Sequence, residues 1–133
     1  MRKTFSILFL LLFSLLCMQC NRGDGALNKK LSEMAAGLNE STPVMLDQYT
    51  RFEEASVSPD NVFRYRYTVL NTTNPDSLIE NISQSLKENI KVAFSTNAEL
   101  RIFKENNVVI EYIYNDENNR TLRSLQITPE DYN

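Results

Sequence analysis

Val62-Phe63-Arg64-Tyr65-Arg66-Tyr67-Thr68-Val69-Leu70 places Phe63, Tyr65, Tyr67 and Val69 on one side of an extended chain and Arg64, Arg66 and Thr68 on the other. Alternation with a period of two is the mark of a β-strand with one dry face and one wet face. The preceding Ser58-Pro59-Asp60-Asn61 is a turn signal with proline at its second position. Upstream of it, residues 44–57 read as a second extended segment, with Thr50, Phe52, Ala55 and Val57 among its β-formers. Together they predict an antiparallel hairpin.

Downstream, Asn74-Pro75-Asp76 opens a helix: a capping asparagine, a proline in the first turn, then an acid near the positive end of the helix dipole. Leu78, Ile82, Leu86, Ile90 and Phe94 follow on one stripe, flanked by Ile79 and Ala93, with Glu80, Ser83, Gln84, Lys87, Glu88 and Lys91 opposite. A shorter helix is expected over residues 98–104, capped by Asn97 and closed by Glu105-Asn106-Asn107. Residues 108–114 and 121–128 read as a second pair of strands around the polar loop Asn115, Asp116, Glu117, Asn118 and Asn119. Near the start, Leu27, Leu31, Met34, Ala35 and Leu38 recur at helical spacing. The expectation is one α+β domain over residues 26–133. It has a four-stranded, mostly antiparallel sheet in the order ββ-α-ββ, with an N-terminal helix and a long central helix on one face.

The first residues carry a different message. Met1-Arg2-Lys3-Thr4 is followed by an apolar run from Phe5 to Leu16 and then by Cys17-Met18-Gln19-Cys20. A short positive stretch before about a dozen apolar residues reads as a secretory signal, and the run is short for a bilayer span. Because it ends on cysteine, it resembles a bacterial lipoprotein signal, although leucine stands one place further upstream of Cys20 than usual. The resemblance implies that residues 1–19 are removed and that Cys20 receives acyl chains. With Asn21 next to it, the implied address is the outer membrane. Residues 20–25 then read as a tether holding an Arg22-Gly23-Asp24 triplet. Such a triplet arises easily by chance and is presented poorly beside an anchor.

Composition excludes several chemistries. Removing residues 1–19 takes away Arg2 and Lys3 and moves the formal net charge from −3 to −5, which disfavours nucleic acid. The chain has no histidine, so His-based triads, His general bases and His metal sites are out. Both cysteines lie at or before Cys20, leaving none for a thiol nucleophile or a thiolate metal site. One glycine remains after residue 25, too few for a phosphate-cradling loop. Glu53 and Glu54 are adjacent carboxylates, but neighbours on a regular strand point to opposite faces and cannot flank one bond. The 115–119 loop is rich in oxygen ligands, yet a calcium loop of the helix-flanked kind needs alternating acids and a central glycine. No catalytic residue, cofactor or metal ligand is assigned.

Pro43-Val44-Met45-Leu46-Asp47-Gln48-Tyr49-Thr50-Arg51, the strand Tyr65-Arg66-Tyr67-Thr68, Ala98-Glu99-Leu100-Arg101 and Ile110-Glu111-Tyr112-Ile113-Tyr114 together resemble a family of small exported bacterial proteins with no agreed activity. The resemblance spans roughly residues 38–132. Members of that kind carry two cysteines, one near the end of the long helix and one near the C-terminus, where this chain has Phe94 and Tyr132. The resemblance therefore implies that Phe94 packs beside the 127–132 segment. The functional expectation is a membrane-anchored, non-catalytic binding or accessory module of the cell envelope with a protein or envelope partner. The alternative is a secreted or periplasmic inhibitor or immunity-type protein. The candidate partner surface is Arg64, Arg66 and the 115–119 loop.

Overall fold

The computed structural model describes residues 22–133; the signal segment, Cys17 and Cys20 lie outside the described residues. Helix α1 (Arg22–Asn39) leads into strand β1 (Val44–Met45), β2 (Thr50–Val57) and β3 (Phe63–Val69). Then come α2 (Pro75–Thr96), a 3₁₀ turn (Ala98–Leu100), α3 (Arg101–Glu105), β4 (Ile110–Asn115), β5 (Thr121–Ile127) and α4 (Pro129–Tyr132). The chain is helical from Arg22, so the Arg-Gly-Asp triplet and Gly25, expected in a tether, belong to α1. A helix draws its stability mainly from its packed stripe, here Leu27, Leu31, Met34 and Ala35, and propagates cheaply into a polar first turn.

The sheet has five strands in the order β1-β2-β3-β4-β5, not four. The extra strand comes from the segment read as continuous over 44–57. Asp47 Oδ1 accepts from the backbone N–H groups of Tyr49 (2.7 Å) and Thr50 (2.8 Å), which folds the chain back and lets Val44 pair with Phe52. The two hairpins form as expected and antiparallel pairs dominate, but β3 and β4 meet in parallel, with Tyr65 opposite Tyr112. The long helical crossover between them permits this, since it returns the chain to the same end of the sheet.

The helices all lie on one face. There Phe52, Ala55, Phe63, Ile110 and Ile127 pack with Leu31 and Ala35 of α1, Ile90 and Phe94 of α2, and Phe103 of α3. A second cluster joins Val69 and Tyr114 to Ile79 near the start of α2, and Ser83, expected on the polar face of that helix, is buried instead, its hydroxyl donating to the Ile79 carbonyl at 2.7 Å. Asn74 caps α2 through its side chain, which accepts from the Ser77 N–H. Tight reversals use asparagine where many chains use glycine. Asn61, Asn71, Asn107 and Asn119 are the non-glycine residues with positive φ among the described residues.

Phe94 and Tyr132 stack with ring centroids 4.3 Å apart, so the long helix and the C-terminus meet as the family resemblance implied. The Tyr132 hydroxyl donates to the Val108 carbonyl at 2.8 Å and lies 3.2 Å from that of Phe103. Helix α4 was missed in the sequence. Its signal is Thr128-Pro129-Glu130-Asp131: Asp131 Oδ2 accepts from the Thr128 N–H, completing a capping box.

Candidate functional site

Two asparagines on α1 fix that helix to the sheet. Asn28 Nδ2 donates to the Ser58 carbonyl and to Asn61 Oδ1, both at 2.9 Å, at the β2–β3 turn. Eleven residues on, Asn39 grips the backbone of Ala55: its Oδ1 accepts from the N–H at 2.7 Å and its Nδ2 donates to the carbonyl at 2.8 Å. Ala55 follows a bulge in β2 between Phe52 and Glu54, and the asparagine amide satisfies backbone groups there. Helix α1 thus rests on β2, whereas α2 packs chiefly on β5 and α4. A gap is left between the two helices.

The floor of this gap is aromatic. Tyr65 and Tyr112 stack at 5.1 Å, Tyr67 and Tyr112 at 6.3 Å, and Tyr67 and Tyr114 at 5.1 Å, with Phe52 against Tyr67 at 5.4 Å. The parallel β3–β4 register makes this possible, because it sets Tyr65 beside Tyr112 and Tyr67 beside Tyr114 on one face. None of the four hydroxyls has a hydrogen-bond partner among the described residues. Tyr65, Tyr67 and Tyr112 are half-buried and Tyr114 is buried. Burial pushes the phenols of Tyr112 and Tyr114 up to about 12 and raises those of Tyr65 and Tyr67 as well. The hydroxyls therefore remain protonated, able to donate as well as accept.

Half-buried apolar side chains wall the floor: Met34 on α1, Ile82 and Leu86 on α2, and Leu100 at the 3₁₀ turn. At the α1 side a recess of about 560 Å³ is lined by Met34, Gly37, Leu38, Tyr65, Leu100 and Phe103, with Glu99 at its margin. On α2 a shallow recess of about 440 Å³ lies along Ile82, Ser85 and Leu86. An apolar trough with a few polar tips suits a side-chain-bearing segment of another molecule.

The opposite face of the sheet is open and charged. Arg64 Nε lies 2.8 Å from Glu111 Oε2, Arg66 Nε 3.1 Å from Glu54 Oε1 and Arg51 Nε 2.6 Å from Glu53 Oε1. Ser124 and Thr68 donate to Glu111 and Glu53. The β2 bulge overturns one expectation here. It turns Glu53 and Glu54 to the same open face, where each meets an arginine. Burial pushes the Glu53 carboxyl up, but hydrogen bonds from Thr68 and Arg51 and the charges of Arg51 and Arg66 outweigh it and hold it below the usual range. A carboxyl held ionised in this way is a poor general acid. Arg64 and Arg66 are ion-paired cross-strand partners and do not converge on the 115–119 loop, which lies past the pairing of Thr68 with Asn115.

That loop is closed on itself. Asp116 Oδ1 accepts from the N–H groups of Asn118 and Arg120 at 2.9 Å, and Arg120 Nε lies 3.1 Å from Asp116 Oδ2. These donors hold the Asp116 carboxyl low. Asn115 is buried, while Glu117, Asn118 and Asn119 are exposed. The tyrosine floor joins residues from two strands, Tyr65 and Tyr67 of β3 and Tyr112 and Tyr114 of β4. Its opening to solvent depends on where two distant helices land, which no local pattern encodes.

Three solved structures share this fold. A Pseudomonas aeruginosa protein provisionally described as secreted superposes with a TM-score of 0.62 at 16% identity, covering 84% of this chain and 97% of its own. The type II secretion system pilotin of Vibrio vulnificus gives 0.63 at 14% identity, covering 83% of this chain and 94% of its own. The type II secretion pilotin of Vibrio cholerae gives 0.60 at 13% identity, covering 81% and 94%. At these identities the likeness is one of fold. No curated protein matches the sequence. The family profile for a domain of unknown function matches residues 26–123, and the chain belongs to that family, DUF8479.

Proposed function

We propose that this chain is an exported, non-catalytic binding module of the bacterial envelope, and that it holds a segment of a partner protein in the groove between α1 and α2. One observation carries the reading: Tyr65, Tyr67, Tyr112 and Tyr114 stack along the sheet between the strand that α1 covers and the strand that α2 covers, and the first three are only half-buried. Full burial of such rings would leave their hydroxyls unpaired, so a partner that covers them must also answer them. The shared fold with two secretion pilotins supports an accessory role beside larger envelope machinery. In this reading residues 1–19 are the export signal and Cys20 carries the acyl chains that place the domain at the outer membrane. Among the described residues, no helix is long and apolar enough to cross a membrane.

The test is affinity capture from membranes with the tagged full chain, comparing wild type with Met34→Glu/Leu86→Glu and with Gln126→Glu on the open face. Met34 and Leu86 are half-buried, so charges placed there face the trough. Loss of a captured protein with the groove variant and retention with Gln126→Glu supports the reading; equal capture by all three refutes it.

The ordered 115–119 loop favours a second reading, an inhibitor that presents Glu117 and Asn118 with little entropy left to lose on binding. A tight complex with a secreted enzyme, weakened by Glu117→Ala and Asn118→Ala but not by the groove variant, would select it.

A further inference from the structure

Most arginines of this fold are ion-paired. Arg51, Arg64, Arg66, Arg120 and Arg123 each lie within 3.1 Å of a carboxylate oxygen. Lys30 on α1 and Arg101 on α3 meet no carboxylate among the described residues, although Glu105 lines the same recess, of about 450 Å³. All three side chains are exposed. Arg101 precedes Glu105 by one turn of α3, the weaker order for an ion pair on a helix. Two cations and one anion therefore share a recess without neutralising one another. Ala26 and Leu27 on α1 and Ile102 on α3 supply its apolar wall. Its place in the fold is specific. Ala26 lies four residues into α1 from Arg22, about 6 Å along the helix axis, and six positions after Cys20.

We propose that this recess takes the headgroup of a phospholipid bearing both a phosphate and a primary ammonium, in the leaflet that holds the anchor. The inference rests on the Cys20 anchor of the proposed function. Lys30 and Arg101 receive the phosphate through charge-assisted hydrogen bonds, and the Glu105 carboxylate receives the ammonium. Ala26, Leu27 and Ile102 cover the glycerol end. Charge selects a neutral headgroup over an anionic one. With residues 1–19 removed the chain has 12 basic and 17 acidic residues, a formal net charge of −5 that repels an anionic surface. Glu105 would also face a lone phosphate with nothing to offset the repulsion. Acyl chains on Cys20 tether the N-terminus and leave the domain free to swivel. A headgroup held between α1 and α3 adds a contact from a distant part of the chain, so the domain stands on the membrane in one orientation.

The test is native mass spectrometry of the full protein purified from membranes in detergent, with dioleoyl phosphatidylethanolamine or dioleoyl phosphatidylglycerol added. Wild type is compared with Lys30→Ala/Arg101→Ala, with Glu105→Gln and with Lys91→Ala, which removes an exposed cation of α2 outside the recess. Every substituted side chain is exposed, and melting curves check that each variant keeps the fold. Wild type is expected to retain phosphatidylethanolamine at least ~5-fold more than phosphatidylglycerol, the scale of one hydrogen bond to a charged group. Loss of both cations should cut the adduct by at least ~10-fold. Glu105→Gln should abolish the preference between the lipids, and Lys91→Ala should change neither. The same spectrum reads the mass of the chain itself, so anchor and recess are judged separately. An acylated chain without the phosphatidylethanolamine adduct overturns the inference and leaves the anchor standing; an unacylated chain with the adduct removes the anchor and supports the recess. Equal retention of both lipids by wild type, or an adduct undiminished in Lys30→Ala/Arg101→Ala, also overturns it.

Discussion

Replacing Asn39 by alanine removes a single half-buried side chain at the end of α1, yet the structure assigns it a large effect. The amide forms two hydrogen bonds to the backbone of buried Ala55, at 2.7 and 2.8 Å, beside the β2 bulge. Each such bond contributes about 0.5–1.5 kcal/mol net, and a buried backbone group left unpaired costs about 1–3 kcal/mol. Both Ala55 groups lose their partner together, while water reaches the half-buried Asn39 position and offsets part of the loss. The expected destabilisation is about 2–4 kcal/mol. At about 4 °C per kcal/mol for a domain of this size, the melting temperature should fall by about 8–16 °C. Differential scanning calorimetry on the purified full chain measures it. Asn39→Asp keeps an acceptor for the Ala55 N–H but presents no donor to its carbonyl, and is expected to lose at least half as much. If Asn39→Ala melts within about 2 °C of wild type, the bulge is satisfied in some other way and α1 is not pinned as described. Because Leu38 lines the trough next to Asn39, the same variant should also weaken partner capture.

Further outcomes follow from the packing and the ionisable groups. Tyr132→Phe keeps the stack on Phe94 but loses the hydroxyl that reaches the Val108 and Phe103 carbonyls, and should cost about 1–2 kcal/mol by urea denaturation. Tyr132→Ala should cost about 3–5 kcal/mol. Hydrogen bonds from Arg64 and Ser124 hold the Glu111 carboxyl below its ordinary value. Its contribution is therefore present above about pH 4.5 and lost as the pH falls through the lower folded value, and Glu111→Gln should flatten that acid limb of the stability profile. Burial keeps the groove phenols protonated. At pH 11 the native protein should show much less tyrosinate absorbance than the same protein in guanidinium, and equal spectra would place the tyrosines in water. Intact mass of the protein purified from membranes should match an acylated chain starting at Cys20 and change in Cys20→Ser, whereas an unlipidated chain in the soluble fraction would remove the anchor.

What could be read from the sequence was whatever depends on local period and capping. β3 declares itself by alternation, and α2 by the Asn74 cap and the stripe from Leu78 to Phe94. Features that depend on one side chain folding back were hidden. Asp47 breaks an extended segment into two strands, and the bulge at Glu53 reverses which face a carboxylate takes. α4 was hidden by its brevity despite a complete capping box at Thr128. The parallel pairing of β3 with β4 is a tertiary outcome, and the tyrosine ladder depends on it. Arg64 and Arg66 stood out as charges set in a strand, but their partners Glu111 and Glu54 come from both neighbouring strands.

The central claim is that the gap between α1 and α2 is where a partner protein sits. It is tested most directly by site-specific photo-cross-linking in living cells, with a benzophenone side chain placed in turn at Leu38, Ile82, Ser56 and Val92. Leu38 and Ile82 border the groove, Ser56 lies on the open face, and Val92 is 60% exposed on α2. The account predicts one common adduct from Leu38 and Ile82, absent from Ser56 and Val92 and lost when Met34 and Leu86 are made acidic. Adducts confined to Ser56, or no adduct from either groove position while the protein is folded and exported, would contradict it.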